Sequence, residues 1–321
     1  MSVALRFASF LLFACCIPVS GNGIAQDYPN KPIRLVVPES AGTGHDLLAR
    51  IIAPEMSKVL EQSIVVENRP GAGGMVGLEY VAKQAPADGY TMSSAFIPIL
   101  ASLQVTVKDL RFDPAKDLPP IIGFGEQRMV FGSAAKLPWK NFGELVANAK
   151  ANPGKLNYGT AVALTQVLTE AILRANSLDV VRVNYGGGLQ YLQGLAGGEV
   201  QMGFSAEAGM GSMGDRFRPL AITGEQRSAR FPDIPTFSEL GFPQIPSMTF
   251  TFHVRSGTPK AATDKLYDAA SRALSQQSVK DGYAKARLEV AEISPAATAK
   301  RLADVSRLFL EIAKQAGIQP Q

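Results

Sequence analysis

Two short loops hold the residues best suited to chemistry, Ser40-Ala41-Gly42-Thr43-Gly44-His45 and Arg69-Pro70-Gly71-Ala72-Gly73-Gly74. Small side chains let peptide N–H groups face a guest, and a helix opening from such a loop adds a partial positive charge. The natural guest is therefore an anion. The expected seat comprises the amides of Ser40, Ala41, Gly42, Thr43 and Gly44, closed by His45, together with Ala72, Gly73, Gly74 and Met75. The plainer reading of one glycine-rich loop is that it turns the chain. Two of them, each between a strand and a helix, favour a site.

Other chemistries lack the residues they need. Gly71-Ala72-Gly73-Gly74-Met75-Val76-Gly77 misses the last glycine of G-x-G-x-x-G, and no Lys-Ser or Lys-Thr follows as a phosphate loop requires. Gly203-Phe204-Ser205-Ala206-Glu207 begins like a nucleophile elbow but places Glu207 at the final glycine, and Met210-Gly211-Ser212-Met213-Gly214 fails at its first position. The two histidines, His45 and His253, are far apart and share no metal-ligand spacing, so no metal site and no cofactor is expected. His45 beside Asp46 is better explained by loop packing and N-capping than by catalysis, and His253 reads as a partly buried strand residue. Neither offers an obvious nucleophile as partner, so no catalytic residue is assigned and no enzyme is expected.

The elements that must position the two loops alternate along the chain. Ile33-Arg34-Leu35-Val36-Val37 is a buried strand stopped by Pro38, and Asp46 is a candidate N-cap for a helix carrying Leu48, Ile51, Ile52, Met56 and Val59. Pro54 predicts a kink or break in that helix. Further strands are expected at Ile64–Val66, Tyr90–Ser94, Val180–Val183 and Gln201–Phe204, with a helix from about Met75 to Lys83. Asn141 with Glu144 reads as a capping pair, and Thr258-Pro259 and Ser294-Pro295 as helix starts. The last helix carries Leu302, Val305, Phe309 and Ile312 on one face and stops before Gly317. Strand and helix in alternation argue for an α/β fold on parallel strands. No clean linker appears, which suits two lobes joined by crossing strands better than two domains in tandem.

The chain has 321 residues, 46% hydrophobic and 19% charged, enough apolar mass for two cores. Its net charge of +4 is dispersed, with no run of five like charges, so anions in general are favoured and nucleic acid is not expected. Arg6, the apolar stretch from Phe7 to Val19, and Gly23-Ile24-Ala25 before Gln26 form an expected signal peptide over residues 1–25. Cys15 and Cys16 lie inside it, so the mature chain holds no cysteine. Lipidation at Cys15 is the alternative, although Phe13 fits such a signal poorly.

Several ordered segments together resemble the tripartite tricarboxylate transporter substrate-binding family, the Bug or TctC-like proteins. They are Tyr28-Pro29-Asn30-Lys31-Pro32-Ile33-Arg34-Leu35-Val36-Val37-Pro38, Val66-Glu67-Asn68-Arg69-Pro70-Gly71-Ala72-Gly73-Gly74, Asp88-Gly89-Tyr90-Thr91, and Ala151-Asn152-Pro153-Gly154-Lys155-Leu156-Asn157-Tyr158-Gly159. Gly197-Gly198-Glu199-Val200, Ala221-Ile222-Thr223-Gly224, Pro232-Asp233-Ile234-Pro235-Thr236 and Gly257-Thr258-Pro259-Lys260 continue the set across the mature chain.

The resemblance implies a type II periplasmic binding protein: two α/β lobes, a ligand cleft between them, and crossover strands. Lobe 1 would comprise residues 26–127 with 250–321, and lobe 2 residues 128–249. The implied role is periplasmic capture of a small organic carboxylate, such as a dicarboxylate, acidic amino acid or aromatic acid. Integral-membrane permease subunits would receive it from a monomeric binding protein. The second lobe would contribute Thr160, Ala161, Thr165 and Gln166, then Tyr185 and Gly187, then Ser205 and Ala206.

The chain departs from the family pattern in places. Glu39 puts a negative charge where the family is rich in Pro and Gly. Ala161-Val162-Ala163-Leu164 is apolar where the family has Gly and Ser, Gln166 or Val167 stands near the position of a family His, and Ser205-Ala206 stands where Asp is frequent. A more apolar or aromatic carboxylate would suit such a second lobe. The rivals are a sensor that docks on a receptor, an enzyme using the same cleft, and a divergent member that binds nothing.

Overall fold

The computed structural model describes residues 28–316, apart from 162, 208–209, 211–212, 225, 229 and 243–244. The expected signal peptide, its Cys15 alternative and Gly317 lie outside the described residues.

The chain opens with β1 (Ile33–Val37), α1 (Gly44–Leu60) and β2 (Ile64–Asn68). α2 (Met75–Glu79), extended by a π-helical turn over Tyr80–Gln84, leads to β3 (Thr91–Phe96), α3 (Ile97–Thr106), α4 (Pro114–Asp117) and β4 (Pro120–Gln127). One residue, Arg128, separates β4 from β5 (Met129–Ala134). Then come α5 (Phe142–Ala151), β6 (Asn157–Thr160), α6 (Ala163–Ala175), β7 (Val181–Asn184), α7 (Gly188–Gly197), β8 (Gly203–Ala206) and β9 (Phe217–Ile222). The chain returns through β10 (Met248–Val254), α8 (Lys260–Ser275), α9 (Gln277–Lys285), β11 (Glu289–Ile293) and α10 (Pro295–Ala316).

The first sheet has the order β11-β4-β10-β3-β1-β2. β1 is parallel to β2 and β3, whereas β10 runs antiparallel between β3 and β4. The carboxyl ends of β1, β2, β3 and β4 and the start of β10 thus share one edge, where Met248 faces Gln127. Alternation along β10 sends Phe250 toward His45 of α1 and Thr249 toward Arg301 of α10, so helices cover both faces.

In the second sheet β5 lies antiparallel between β8 and β9. β6 and β7 are parallel, and a Tyr158–Met202 bridge joins β6 to the strand entering β8. β6, β7 and β8 therefore end on one edge, the edge at which β5 begins. A buried apolar cluster runs from the first sheet to Phe131 and Phe204 of the second and Leu164 of α6, while Val130, Tyr191, Val200, Phe217 and Ile222 form a separate one at α7. This is the α/β binding-protein fold of type II, with a mixed six-stranded sheet joined by crossing strands to an antiparallel three-stranded sheet and its neighbouring parallel pair.

Local expectations are partly corrected. Thr43, not Asp46, caps α1: its hydroxyl accepts the Asp46 amide and its backbone is extended. Pro54 lies inside one continuous helix rather than breaking it. Three strands begin later than periodicity suggests, at Thr91, Val181 and Gly203, because the ladder partners and not the β-rich composition set their ends. Asn141 accepts the Glu144 amide at 2.9 Å while Glu144 reaches back to the Lys140 amide at 2.7 Å, so that capping pair is present, shifted by one at its return contact. The Ser294 hydroxyl accepts the Ala297 amide at the start of α10.

His253 is fully buried rather than partly buried. Its Nδ1 donates to the Leu118 carbonyl at 2.8 Å and its Nε2 lies 2.7 Å from the Thr251 hydroxyl, so the neutral ring is a core hydrogen-bonding element. Burial lowers its pKa from 6.5 to about 4, against the opposing effect of the Leu118 bond. Since the folded value lies below the unfolded one, acid favours the unfolded chain. The His253 contribution is intact above pH 6.5 and is lost as pH falls toward 4. Denaturant unfolding at pH 7 and pH 5 should show that His253→Gln removes about 2 kcal/mol of this acid-induced loss. Equal losses in both proteins would clear His253 as the source.

Candidate functional site

The two loops expected to seat an anion emerge from β1 and β2, neighbouring parallel strands, and are stitched together at their roots. Asn68, the last residue of β2, donates through Nδ2 to the Glu39 carbonyl at 3.0 Å and to Asp46 Oδ1 at 2.9 Å. The Arg69 amide donates to the Val37 carbonyl at 2.8 Å. Gly77 presses on Pro38, where a Cβ would stand 3.1 Å from the Pro38 Cα and 2.8 Å from the Arg69 carbonyl. No side chain fits there, and that is why the loops lie so close.

Asp46 organises the first loop. It is buried, accepts the Gly42 amide at 2.9 Å and receives Arg50 Nε at 3.0 Å. Burial would raise its carboxyl, but Arg50, Gly42 and Asn68 hold it below the usual range. The Gly42 amide can turn inward because its φ of +86° is open to glycine. This also corrects the expected seat: the Gly42 N–H already has an acceptor inside the protein. Gly44 and His45, the first residues of α1 after its cap, have amides with no intrahelical acceptor. Ser40, Ala41 and Gly44 are exposed, as are Ala72 and Gly73, whereas Gly74 is buried against Pro38 and its amide donates to the Gly71 carbonyl. Met75 is half-buried and begins α2.

The His45 side chain sits beneath this surface. It is 2% exposed, edge-on to Phe96 with 5.5 Å between ring centroids and 5.2 Å from Phe250. Its Nε2 lies 2.5 Å from Ser94 Oγ, while Nδ1 has no hydrogen bond and faces Glu39 Oε1 at 3.8 Å. Only its amide can belong to the seat. The expectation that neither histidine has a nucleophile nearby is thus corrected, because Ser94, His45 and Glu39 lie in line. Sequence gave no hint of Ser94, an unremarkable strand residue whose register alone brings it under α1. Burial would raise the Glu39 carboxyl, but the His45 ring and the Thr43 hydroxyl overcome this and keep it below the usual range. Glu39 is therefore an anion at the rim of the seat, turned toward His45.

The expected second-lobe residues gather at the ends of β6, β7 and β8. Thr160 and Thr165 are buried with their hydroxyl oxygens 2.7 Å apart, tying the end of β6 to the first turn of α6. Ala161 and Gln166 are half-buried beside them. Gly187 caps α7, Ser205 is buried with its hydroxyl on the Ala206 carbonyl at 3.1 Å, and Ala206 pairs with Met129 at the crossover.

Tyr185 departs from expectation. Its amide donates to the Thr160 carbonyl at 2.8 Å, but its ring packs edge-on to Tyr191 and its hydroxyl reaches Glu199 at 3.4 Å. The ring lies along α7 because Gly194 leaves room; a Cβ there would stand 2.2 Å from the Tyr185 hydroxyl. The tyrosine hydroxyl is thus directed away from the strand-end edge.

Among the described residues no cluster of His, Cys, Asp and Glu could hold a metal ion, and no helix is long and apolar enough to cross a membrane. The arrangement can bind an anion through peptide N–H groups, with nearby carboxylates held by their own partners.

Comparison with known proteins agrees with this geometry. A family model described as the tripartite tricarboxylate transporter family receptor, TctC, matches residues 48–318. A UPF0065 protein in the gbd 5' region of Cupriavidus necator is 34% identical over 268 residues, 83% of this chain and 81% of its own length. A Rhodopseudomonas palustris protein solved with adipate is 29% identical with a TM-score of 0.75, covering 92% of this chain and all of its own. MatC from the same organism, solved with bound malate, is 25% identical with a TM-score of 0.72, covering 89% of this chain and 100% of its own. With the family match running from the second turn of α1 past the end of α10, the chain belongs to the tripartite tricarboxylate transporter receptor family, TctC.

Proposed function

We propose that this receptor captures a small organic carboxylate between two lobes in the periplasm, as a monomer, and hands it to the integral-membrane permease subunits of a tripartite tricarboxylate transporter. Lobe 1 comprises residues 26–127 with 250–321, and lobe 2 residues 128–249. The observation that carries the reading is the exposed pair of loop corners, Ser40-Ala41 with Gly44 and Ala72-Gly73, locked side by side by Asn68. One ligand carboxylate meets the Gly44 and His45 amides and those of Ala72 and Gly73. Across the cleft, the edge formed by Thr160, Ala161, Gln166, Gly187, Ser205 and Ala206 takes the rest of the molecule. Closure of the lobes on ligand shifts the population toward the form that the permease recognises.

Adipate and malate, bound by the two solved relatives, support a carboxylate as the guest. The second-lobe edge here is poor in charge, which favours a ligand whose far end is apolar. A thermal-shift panel of mono-, di- and aromatic carboxylates tests the reading, since a ligand that binds only the native state raises the melting temperature. No shift with any acid at millimolar concentration would refute it.

Glu39 sets a second test. Its charge lies beside the seat and opposes an anion, so Glu39→Gln should tighten carboxylate binding by about fivefold, or about 1 kcal/mol in a partly solvated site. Calorimetry with the best acid of the panel measures this; weaker binding would mean that Glu39 holds the ligand rather than repelling it.

The Ser94–His45–Glu39 alignment favours one rival, a hydrolase. Against it, Ser94 is 0% exposed and lies beneath the histidine, out of reach of any carbonyl carbon. Turnover of p-nitrophenyl acetate that disappears in Ser94→Ala would reinstate that rival.

A further inference from the structure

One cavity of the described structure lies away from the glycine loops. A cavity of about 380 Å³ lies on the α10 side of the two crossover strands, and none of its walls comes from residues 38–45 or 69–75. One wall is α10, another the β4–β10 pair at Glu126 and Thr249. The third belongs to the segment that follows β9, at Gly224, Ser238 and Ser247.

Its polar lining is balanced. Lys300 pairs with Asp304 at 2.5 Å, and Arg301 donates to Glu126 and, at 3.0 Å, to Thr249. Two cations and two carboxylates therefore face one space. Facing them are Ile97, Ile245, Ile293, Val305 and Leu308. A guest with a single charge gains from one half of this lining what it loses to the other. A neutral zwitterion is attracted by both halves: its carboxylate adds to Lys300 and Arg301, its ammonium to Glu126 and Asp304, and existing ion pairs need not break. An apolar tail then has a hydrocarbon wall to cover, in a space within the usual size of small-molecule pockets.

We propose that this hinge cavity is a second binding site, for a zwitterionic amphiphile of the size of an apolar α-amino acid. It does not depend on what the cleft binds. Its guest touches both sides of the crossover, so occupancy bears on the same hinge that lobe closure uses. Arg128 marks that hinge: it lies between β4 and β5, donates to Glu289 at 2.9 Å and also to the Gln226 carbonyl.

L-Leucine is the probe, titrated calorimetrically into the purified protein. Saturable binding is expected, weakened at least about tenfold for 4-methylpentanoate and for 3-methylbutylamine, which each lack one charge. Ala297→Phe, on an exposed wall of the cavity, should weaken leucine binding by about tenfold or more, and Gly44→Glu in the cleft should leave it within about twofold. Ser238→Trp, on the opposite exposed wall, serves the same purpose should Ala297→Phe lower the melting temperature. Absence of saturation at about 10 mM leucine overturns the proposal, as does binding that survives both wall variants or follows Gly44→Glu instead. None of these outcomes alters the carboxylate panel, so failure here is separable from failure of the cleft reading.

Discussion

Gly44→Glu is expected to abolish carboxylate binding while leaving the protein as stable as before. Gly44 is exposed, is the first helical residue of α1, and has no atom within 4 Å of the place a Cβ would take. An acidic residue in the first turn of a helix is favourable to the fold by a few tenths of a kcal/mol, and replacing a helical glycine adds to that. The same charge sits where the ligand carboxylate must approach the Gly44 and His45 amides. Two like charges about 4 Å apart near a protein surface repel by about 4 kcal/mol, so affinity should fall by at least about 100-fold. Gly44→Gln supplies the same bulk without charge and should bind within about threefold of the parent. The comparison uses whichever acid of the panel gives the largest thermal shift. Equal affinity in the Glu and Gln variants would move the anion seat elsewhere and remove the physical basis of the proposed function.

This test could be designed from the sequence, but its details could not. Small residues between a strand and a helix were enough to select Gly44 and the second loop, because amide access depends on local chain composition. The identity of the cap was not legible: Thr43 and Asp46 are both good capping residues, and the choice between them depends on Asn68, which arrives from β2, as well as on Arg50 one turn along α1. The same holds for His45. Whether a histidine at a helix start faces solvent or core is decided by what lies beneath, here Ser94, Phe96 and Phe250 from two other strands. The direction of the Tyr185 ring was not legible for a related reason, since an aromatic ring goes where a glycine leaves room and Gly194 lies nine residues on. Strand order was not legible. Composition and periodicity specify parallel α/β structure, but nothing local to β10 announces that it runs antiparallel between β3 and β4.

Phe237→Ala should cost about 4 kcal/mol of stability, the largest loss expected from any single truncation in the second sheet's core. Phe237 is 1% exposed, and its ring lies between 5.7 and 6.5 Å from those of Phe131, Phe142, Phe204 and Phe242. These four come from β5, α5, β8 and the chain beyond Phe237, so no single neighbour can move in to fill the space. Truncation loses both the transfer free energy of the ring and the contacts around the resulting cavity, together with several edge-to-face pairs. The position matters for function because Phe237 pins the return segment between β9 and β10. Its amide donates to the Ile222 carbonyl at 2.9 Å, Thr236 bridges to Ile222, and the Phe242 amide donates to the Phe237 carbonyl at 2.7 Å. That segment supplies one of the two crossings on which the proposed lobe movement depends. Loosening it should therefore lower the melting temperature by about 10 °C in a unit of this size and weaken binding through a less ordered hinge, with the loop amides themselves intact. Phe237→Leu, which keeps most of the apolar volume, should recover more than half of both losses. If the leucine variant recovers stability but not affinity, the ring itself sets the hinge geometry; if alanine is tolerated at under about 1 kcal/mol, this aromatic cluster is not what holds the return segment in place.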